Sequence, residues 1–314
     1  MKKTLLFCLF VSVIFLSGCI LKDQHTIPPA TPAPLVISAL DEPVATDTEH
    51  VGFIQPGTFL RNLTVHFIDV GQADSILILL PNGENMLIDG GESRNANDIM
   101  MYMHSHDVAS IDYLVASHPH ADHIGGLPAI IDNFDIVNVY MPRVSHTTVT
   151  FERLLTSIQN KGLQIDEAKT GVSILSLPEL TVDIIAPARD DYKDHNDHSA
   201  VIKLTYGTTS FLFMGDAEGT SESHITEDVS SDVLKVGHHG SKTSTTAAFL
   251  HNVSPSYAVI CVGKNSYGHP TDEVLSRLDN ANVEVYRTDM VGTIVFTSDG
   301  ESILIDKSPS LYHP

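Results

Sequence analysis

The 314-residue sequence contains no tryptophan, three cysteines, and 18 lysine and arginine residues against 39 aspartate and glutamate residues. Each shortage excludes something. Three cysteines rule out a disulfide-stapled scaffold. A formal net charge of −21 leaves no broad basic surface to hold nucleic acid by its phosphates. Beyond the N-terminus no apolar run is long enough for a bilayer, which rules out a multi-span membrane protein. A hydrophobic content of 42% suits a folded chain with a substantial core.

The one long apolar run lies in MKKTLLFCLFVSVIFLSGCI, where Lys2 and Lys3 precede the stretch from Leu5 to Leu16 and small residues lead into Cys19. Residues 1–18 read as a signal peptide. Leu16-Ser17-Gly18-Cys19 resembles the lipobox of bacterial lipoproteins, which implies cleavage before Cys19 and a lipid on that residue. An uncleaved anchor helix is the alternative. Both readings place the remainder at the extracellular face of the cytoplasmic membrane. Cleavage would remove two lysines and Cys8, deepening the negative charge, and lipidation would leave Cys261 as the sole thiol, read as a small core residue. Residues 19–62, with Pro28, Pro29, Pro32, Pro34 and Pro43, read as a flexible linker. The remaining 63–314 read as one catalytic-type domain.

From Leu63 the pattern changes to short β-rich runs, LTVHFIDV, DSILILL and NMLIDGG, separated by turn residues. Further short apolar runs then alternate with helical stretches near 93–107, 125–134, 150–161, 243–251 and 271–280. A leading meander followed by alternation predicts an α/β sandwich, two sheets face to face inside flanking helices. His66 alternates with Val65 and Phe67 and is expected on a solvent-facing side of its strand. His104 and His106 fall in a helix and are expected to pack rather than to ligate.

Polar clusters recur where strands end, the place α/β folds reserve for chemistry. The densest is Ser117-His118-Pro119-His120-Ala121-Asp122-His123-Ile124-Gly125-Gly126, directly after the run IDYLVAS. Imidazole and carboxylate suit zinc, and a turn here can aim His118 and His120 at one point and Asp122 and His123 at another. Such a cluster can hold two metals.

HxHxDH followed by two glycines resembles the signature of the metallo-β-lactamase superfamily, and the resemblance spans about residues 63–306. HFIDVGQADSILI, MLIDGG, FLFMGDAE, LKVGHHGSKTS, VGKNSYGHP and RTDMVGTI are similar to a narrower branch. That branch includes the extracellular hydrolase domain of the DNA-uptake channel ComEC and secreted phosphorylcholine esterases. Ala73 stands where the branch usually has Gly, and His120 where the channel proteins often have Asp.

The resemblance implies an αββα sandwich with its metal site at one edge. It assigns Asp216 a bridging role between two cations and Asp89 a supporting role behind a ligand histidine; alone, Asp216 reads as a helix cap and Asp89 as a turn acid. His238 is expected as a ligand and His239 as a substrate or supporting contact, with the reverse order left open. The metal set is then His118, His120, Asp122, His123, Asp216 and His238. His195 and His198 stand outside it. Asp69 and Gln72 are expected to support the ligands, while Lys264, Tyr267 and His269 supply groups able to hold a phosphate oxygen or protonate a leaving group.

These residues point to hydrolysis by metal-activated water, with Asp122 as a catalytic as well as a binding carboxylate. Two divalent ions are expected, zinc by ligand type, with manganese or iron as alternatives. The expected substrate is a phosphodiester in nucleic acid or a cell-surface polymer, without strong electrostatic binding of nucleic acid. A lactone or β-lactam hydrolase and a non-catalytic surface binding protein are the rival readings.

Overall fold

The computed structural model describes residues 61–310. The expected signal peptide, Cys19 and nearly all of the expected linker lie outside the described residues.

Side chains alternate across each strand, and both sheets use this to build cores on both faces. One sheet runs β15 (Ile303–Ile305), β14 (Ile294–Ser298), β1 (Leu63–Phe67), β2 (Ile76–Leu79), β3 (Asn85–Ile88), β4 (Ser110–Val115), β5 (Asp135–Met141), β6 (Ile165–Glu167). The other runs β13 (Glu284–Arg287), β12 (Tyr257–Ile260), β11 (Val233–Lys235), β10 (Thr209–Phe213), β9 (Val201–Tyr206), β8 (Leu180–Ala186), β7 (Val172–Leu177). Val65, Phe67, Ile202, Leu204, Phe211, Phe213 and Phe296 meet between the sheets, and Cys261 is buried with them.

On the outer face of the first sheet, Leu77, Leu87 and Leu114 pack with α1 (Ala96–Ser105), α3 (Leu127–Asn133) and α4 (Val149–Asn160). The one-turn α2 (Ala121–Ile124) precedes α3. On the outer face of the second sheet, Leu212, Leu234 and Ala258 pack with α6 (Ala247–Val253) and α7 (Asp272–Asn280); the one-turn α5 (Gly219–Glu222) follows β10. The architecture is therefore an αββα sandwich.

The solvent-facing placement expected for His66 does not hold, because α1 covers that side of β1. His66 is buried, with Nδ1 2.8 Å from the Tyr102 hydroxyl and Nε2 3.0 Å from Thr64 Oγ1. His104 stacks on Phe134.

Strands β3, β4 and β5 are mutually parallel, as are β10, β11 and β12. Their C-terminal ends therefore collect at one edge of each sheet, and the loops that follow them carry the polar clusters. Two glycine pairs let these loops touch: a Cβ on Gly126 would lie 2.2 Å from the Gly90 carbonyl oxygen.

Candidate metal centre

The loop after β4 is aimed by the residue that follows β3. Asp89 adopts a left-handed conformation, φ 60°. Its carboxylate accepts from the Ser117 amide at 2.7 Å, from the Ser117 hydroxyl at 2.6 Å, and from His123 Nδ1 at 2.8 Å. Because Nδ1 donates to Asp89, the neutral ring presents Nε2 as a lone pair, the arrangement usual for a metal-ligating histidine.

His123 Nε2 faces Asp216 Oδ1 at 3.3 Å and Asp122 Oδ2 at 4.0 Å. His239 Nε2 lies 3.4 Å from Asp122 Oδ2 and 3.7 Å from Asp216 Oδ2, while its Nδ1 donates to the Cys261 carbonyl at 2.8 Å. Asp122, His123, Asp216 and His239 each bring one donor atom within 4.8 Å of the others. Three of these atoms, His123 Nε2, His239 Nε2 and Asp216 Oδ1, are buried without a hydrogen-bond partner. Buried polar atoms without partners are costly, and a convergent imidazole–carboxylate set is what a divalent cation satisfies. The residues fit a metal.

A second point lies on the other side of Asp216. His118 Nε2 is 3.0 Å from His120 Nδ1 and 3.8 Å from Asp216 Oδ2. Asp216 lies between the two groups, its Oδ1 toward His123 and its Oδ2 shared by His118, His238 and His239. Its amide donates to Ser199 Oγ at 3.0 Å, which fixes the residue at the end of β10.

His238 and His239 both lie in the left-handed region, φ 47° and 52°. This kinked turn drives His239 into the interior and leaves His238 at the rim, where Nδ1 meets Glu218 Oε1 at 2.8 Å. The structure therefore brings His239, rather than the expected His238, into the Asp122–His123–Asp216 cluster. His238 Nε2 still reaches to 3.7 Å from Asp216 Oδ2.

Charge is balanced from behind. Lys235 is fully buried at the end of β11, pairs with Asp74, and donates to the Gly215 carbonyl at 2.7 Å. Asp74 lies 3.7 Å from His123 Nδ1 and 3.5 Å from His239 Nδ1. Burial resists ionising Asp216, but His123, His239 and His118 hold its carboxyl well below the ordinary range. Burial likewise opposes charge on His123, yet Asp216, Asp89 and Asp122 raise it well above the usual histidine value. His118 goes the other way, lowered by burial and by His123.

In front of the cluster is a cavity of about 330 Å³, lined in part by Gln72, His120, Asp122, Tyr267 and His269. His269 follows β12 with a buried, unpartnered Nδ1, and burial and His238 keep it below the ordinary histidine range. Tyr267 is 74% exposed beside it. A neighbouring depression adds Arg94 and Lys264.

Asp69 takes no part: it is exposed and caps its own turn at the Gly71 amide. Gln72 lines the cavity and accepts from the Gly263 amide. His198 is buried with Nε2 on the Tyr192 carbonyl. Sequence reasoning missed Asp74, Glu218, His146 and the buried Lys235. The alternating run DVLKVG gave a cue for Lys235, since its position faces inward.

A family model described as Metallo-beta-lactamase superfamily matches residues 68–264. ComE operon protein 3 of Bacillus subtilis is 29% identical over 253 residues, 74% of this chain and 32% of that protein. Recombination protein 2 of Haemophilus influenzae is 28% identical over 257 residues, 80% and 31% respectively. The chain thus spans about a third of the length of these curated relatives. Among solved structures, the metallo-beta-lactamase fold protein YhfI from Bacillus subtilis superposes with a TM-score of 0.46 at 12% identity, covering 72% of this chain and 97% of that one.

Proposed function

Because the chain belongs to the metallo-β-lactamase superfamily, we propose that it is a metal-dependent phosphodiesterase, lipid-anchored through Cys19 outside the cytoplasmic membrane. The observation that carries the hydrolytic reading is the convergence of unpartnered His123 Nε2, His239 Nε2 and Asp216 Oδ1 on the open carboxylate of Asp122.

In this reading His118 and His120 would hold one ion and Asp122, His123 and His239 the other, with Asp216 placed between the two groups. Two such ions, zinc by ligand type, supply Lewis acidity and a water that ionises near neutral pH. The protein's own residues do the rest. Asp89 and the Cys261 carbonyl fix the tautomers of His123 and His239. His123 and His239 keep Asp122 ionised against the cost of its burial, so it accepts a hydrogen bond from the attacking water. His269, Tyr267 and Lys264 border the place where a phosphoryl oxygen and a leaving group would lie.

Phosphodiester is preferred over carboxylic ester because cationic and phenolic groups stand at the cavity mouth, and because one of the relatives is a recombination protein by name. Nucleic acid and a cell-surface phosphodiester polymer are the substrate classes. The net charge of −21 argues against tight binding of DNA through its backbone.

The test is hydrolysis of bis-p-nitrophenyl phosphate, with metal content measured on the same sample. Turnover tracking two bound ions, abolished in His120→Ala and cut at least about 100-fold in Asp122→Asn, is expected. Bound metal without turnover, or faster cleavage of nitrocefin or an acyl lactone, overturns the phosphodiesterase reading.

A further inference from the structure

Three histidines from separate loops meet beside the cavity, and two of them, His120 and His146, line it. His120 precedes α2, His146 lies in the loop between β5 and α4, and His195 follows β8. Each offers one nitrogen within 4.8 Å of the other two, and all three are half-buried. Ring centroids stand 4.7 Å apart for His146 and His195, 5.8 Å for His120 and His146, and 5.9 Å for His120 and His195.

The hydrogen bonds select which nitrogens remain. His195 Nε2 lies 3.3 Å from the Ser145 carbonyl, which can only accept, so Nε2 carries the proton and Nδ1 the lone pair. His146 Nδ1 lies 2.8 Å from Thr148 Oγ1, leaving Nε2. His120 turns Nδ1 toward His118 and leaves its own Nε2. His195, with one nitrogen held by an oxygen acceptor and the other free, is oriented as metal ligands are.

We infer that His120, His146 and His195 form a third metal site, adjoining the dinuclear centre through His120 and open to solvent, that takes zinc or another imidazole-preferring divalent ion. An all-imidazole set selects zinc, copper or nickel over magnesium and calcium, which prefer oxygen. The chain's net charge of −21 raises the local concentration of any cation. The ion is weakly held, because it has three protein ligands with free positions left to water. Only His120 is shared with the proposed catalytic ions, so the two readings can fail separately.

The experiment titrates the untagged full chain with Zn2+ against a chelating dye at fixed pH and counts bound equivalents. The double variant His146→Gln/His195→Gln is expected to bind one equivalent fewer, the weakest, and to lose the matching part of the d–d absorption when Co2+ replaces Zn2+. Equal stoichiometry and equal Co2+ spectra in the two proteins overturn the third site. Should the double variant not fold, by far-UV circular dichroism, His146→Gln alone carries the same expectation and the same refutation. Asp216→Asn separates the two readings: it is expected to lose the tightly held ions and keep the weak one. Loss of the weak equivalent in Asp216→Asn but not in the histidine variant removes the third site and leaves the dinuclear one.

Discussion

Lys235 Nζ pairs with Asp74 Oδ2 where neither side chain exposes more than 1% of its surface. Lys235 also lies 3.9 Å from Asp216 Oδ1, while Asp74 approaches the ring nitrogens of His123 and His239 from behind. The pair therefore connects the two faces of the metal cluster through its floor. Removing one partner strands the other as a buried charge, which typically costs about 3–5 kcal/mol. Lys235→Met is expected to lower stability by that amount, and Asp74→Asn/Lys235→Met to recover most of it. Urea unfolding of the three proteins checks this; a double variant no more stable than Lys235→Met would show the pair is not coupled.

The sandwich was legible because strand alternation and helix spacing are local properties, the first visible in LTVHF and AVIKLTYG and the second in VTFERLLTSIQN. The HxHxDH turn was legible for the same reason, since four candidate ligands lie within six positions. What was not legible depends on long-range placement. Asp74 and Lys235 are 161 positions apart and meet only because β11 and the turn before β2 end at the same edge. The order of His238 and His239 hinges on two left-handed residues, which nothing in the string GHHG reveals. His66 looked solvent-facing because alternation names two faces of a strand without saying that a helix covers the second.

His66 gives a pH dependence far from the metal cluster. Burial first, and then the charge of His106, lowers it from 6.5 to about 4. As pH falls below 6.5 the unfolded chain takes up this proton while the folded chain does not, so stability drops until about pH 4. Below that both states are protonated and the loss is complete. The full span corresponds to about 3 kcal/mol. Urea midpoints between pH 7 and pH 4.5 are expected to fall more steeply for the wild type than for His66→Phe. Parallel slopes would mean that His66 titrates normally in the fold.

Gly126 has φ −84° and ψ −20°, a conformation open to any residue, so only space requires glycine there. An added Cβ would meet the Gly90 carbonyl at 2.2 Å, and backbone cannot turn aside as a side chain can. Gly126→Ala is expected to cost about 1–3 kcal/mol through overpacking. Since Gly90 follows Asp89 and its amide donates to the His123 carbonyl at 2.7 Å, the displaced loop also disturbs the bond that orients His123. Loss of bound metal beyond what the fall in urea midpoint explains would confirm the link.

His238 and His239 separate ligation from support. His239 is 1% exposed, tied through Nδ1 to a carbonyl, and presents a free Nε2 to Asp122 and Asp216. His238 is more exposed and tied to Glu218, which itself accepts from Thr243 Oγ1. Side-chain hydrogen bonding to His238 holds Glu218 below the ordinary glutamate range, and the same contact and Asp216 lift His238 despite the cost of burial. At the rim, His238 lines the cavity that would take an anionic group, whereas His239 is enclosed with Asp122 and Asp216. His239→Ala is thus expected to lose one equivalent of metal and at least about 100-fold in kcat/KM, as for removal of an ion that activates water. His238→Ala is expected to keep both equivalents and to lose about 10-fold, mostly as KM. Metal content and kinetics measured together on both proteins decide the order, because the opposite pattern would return the ligand role to His238.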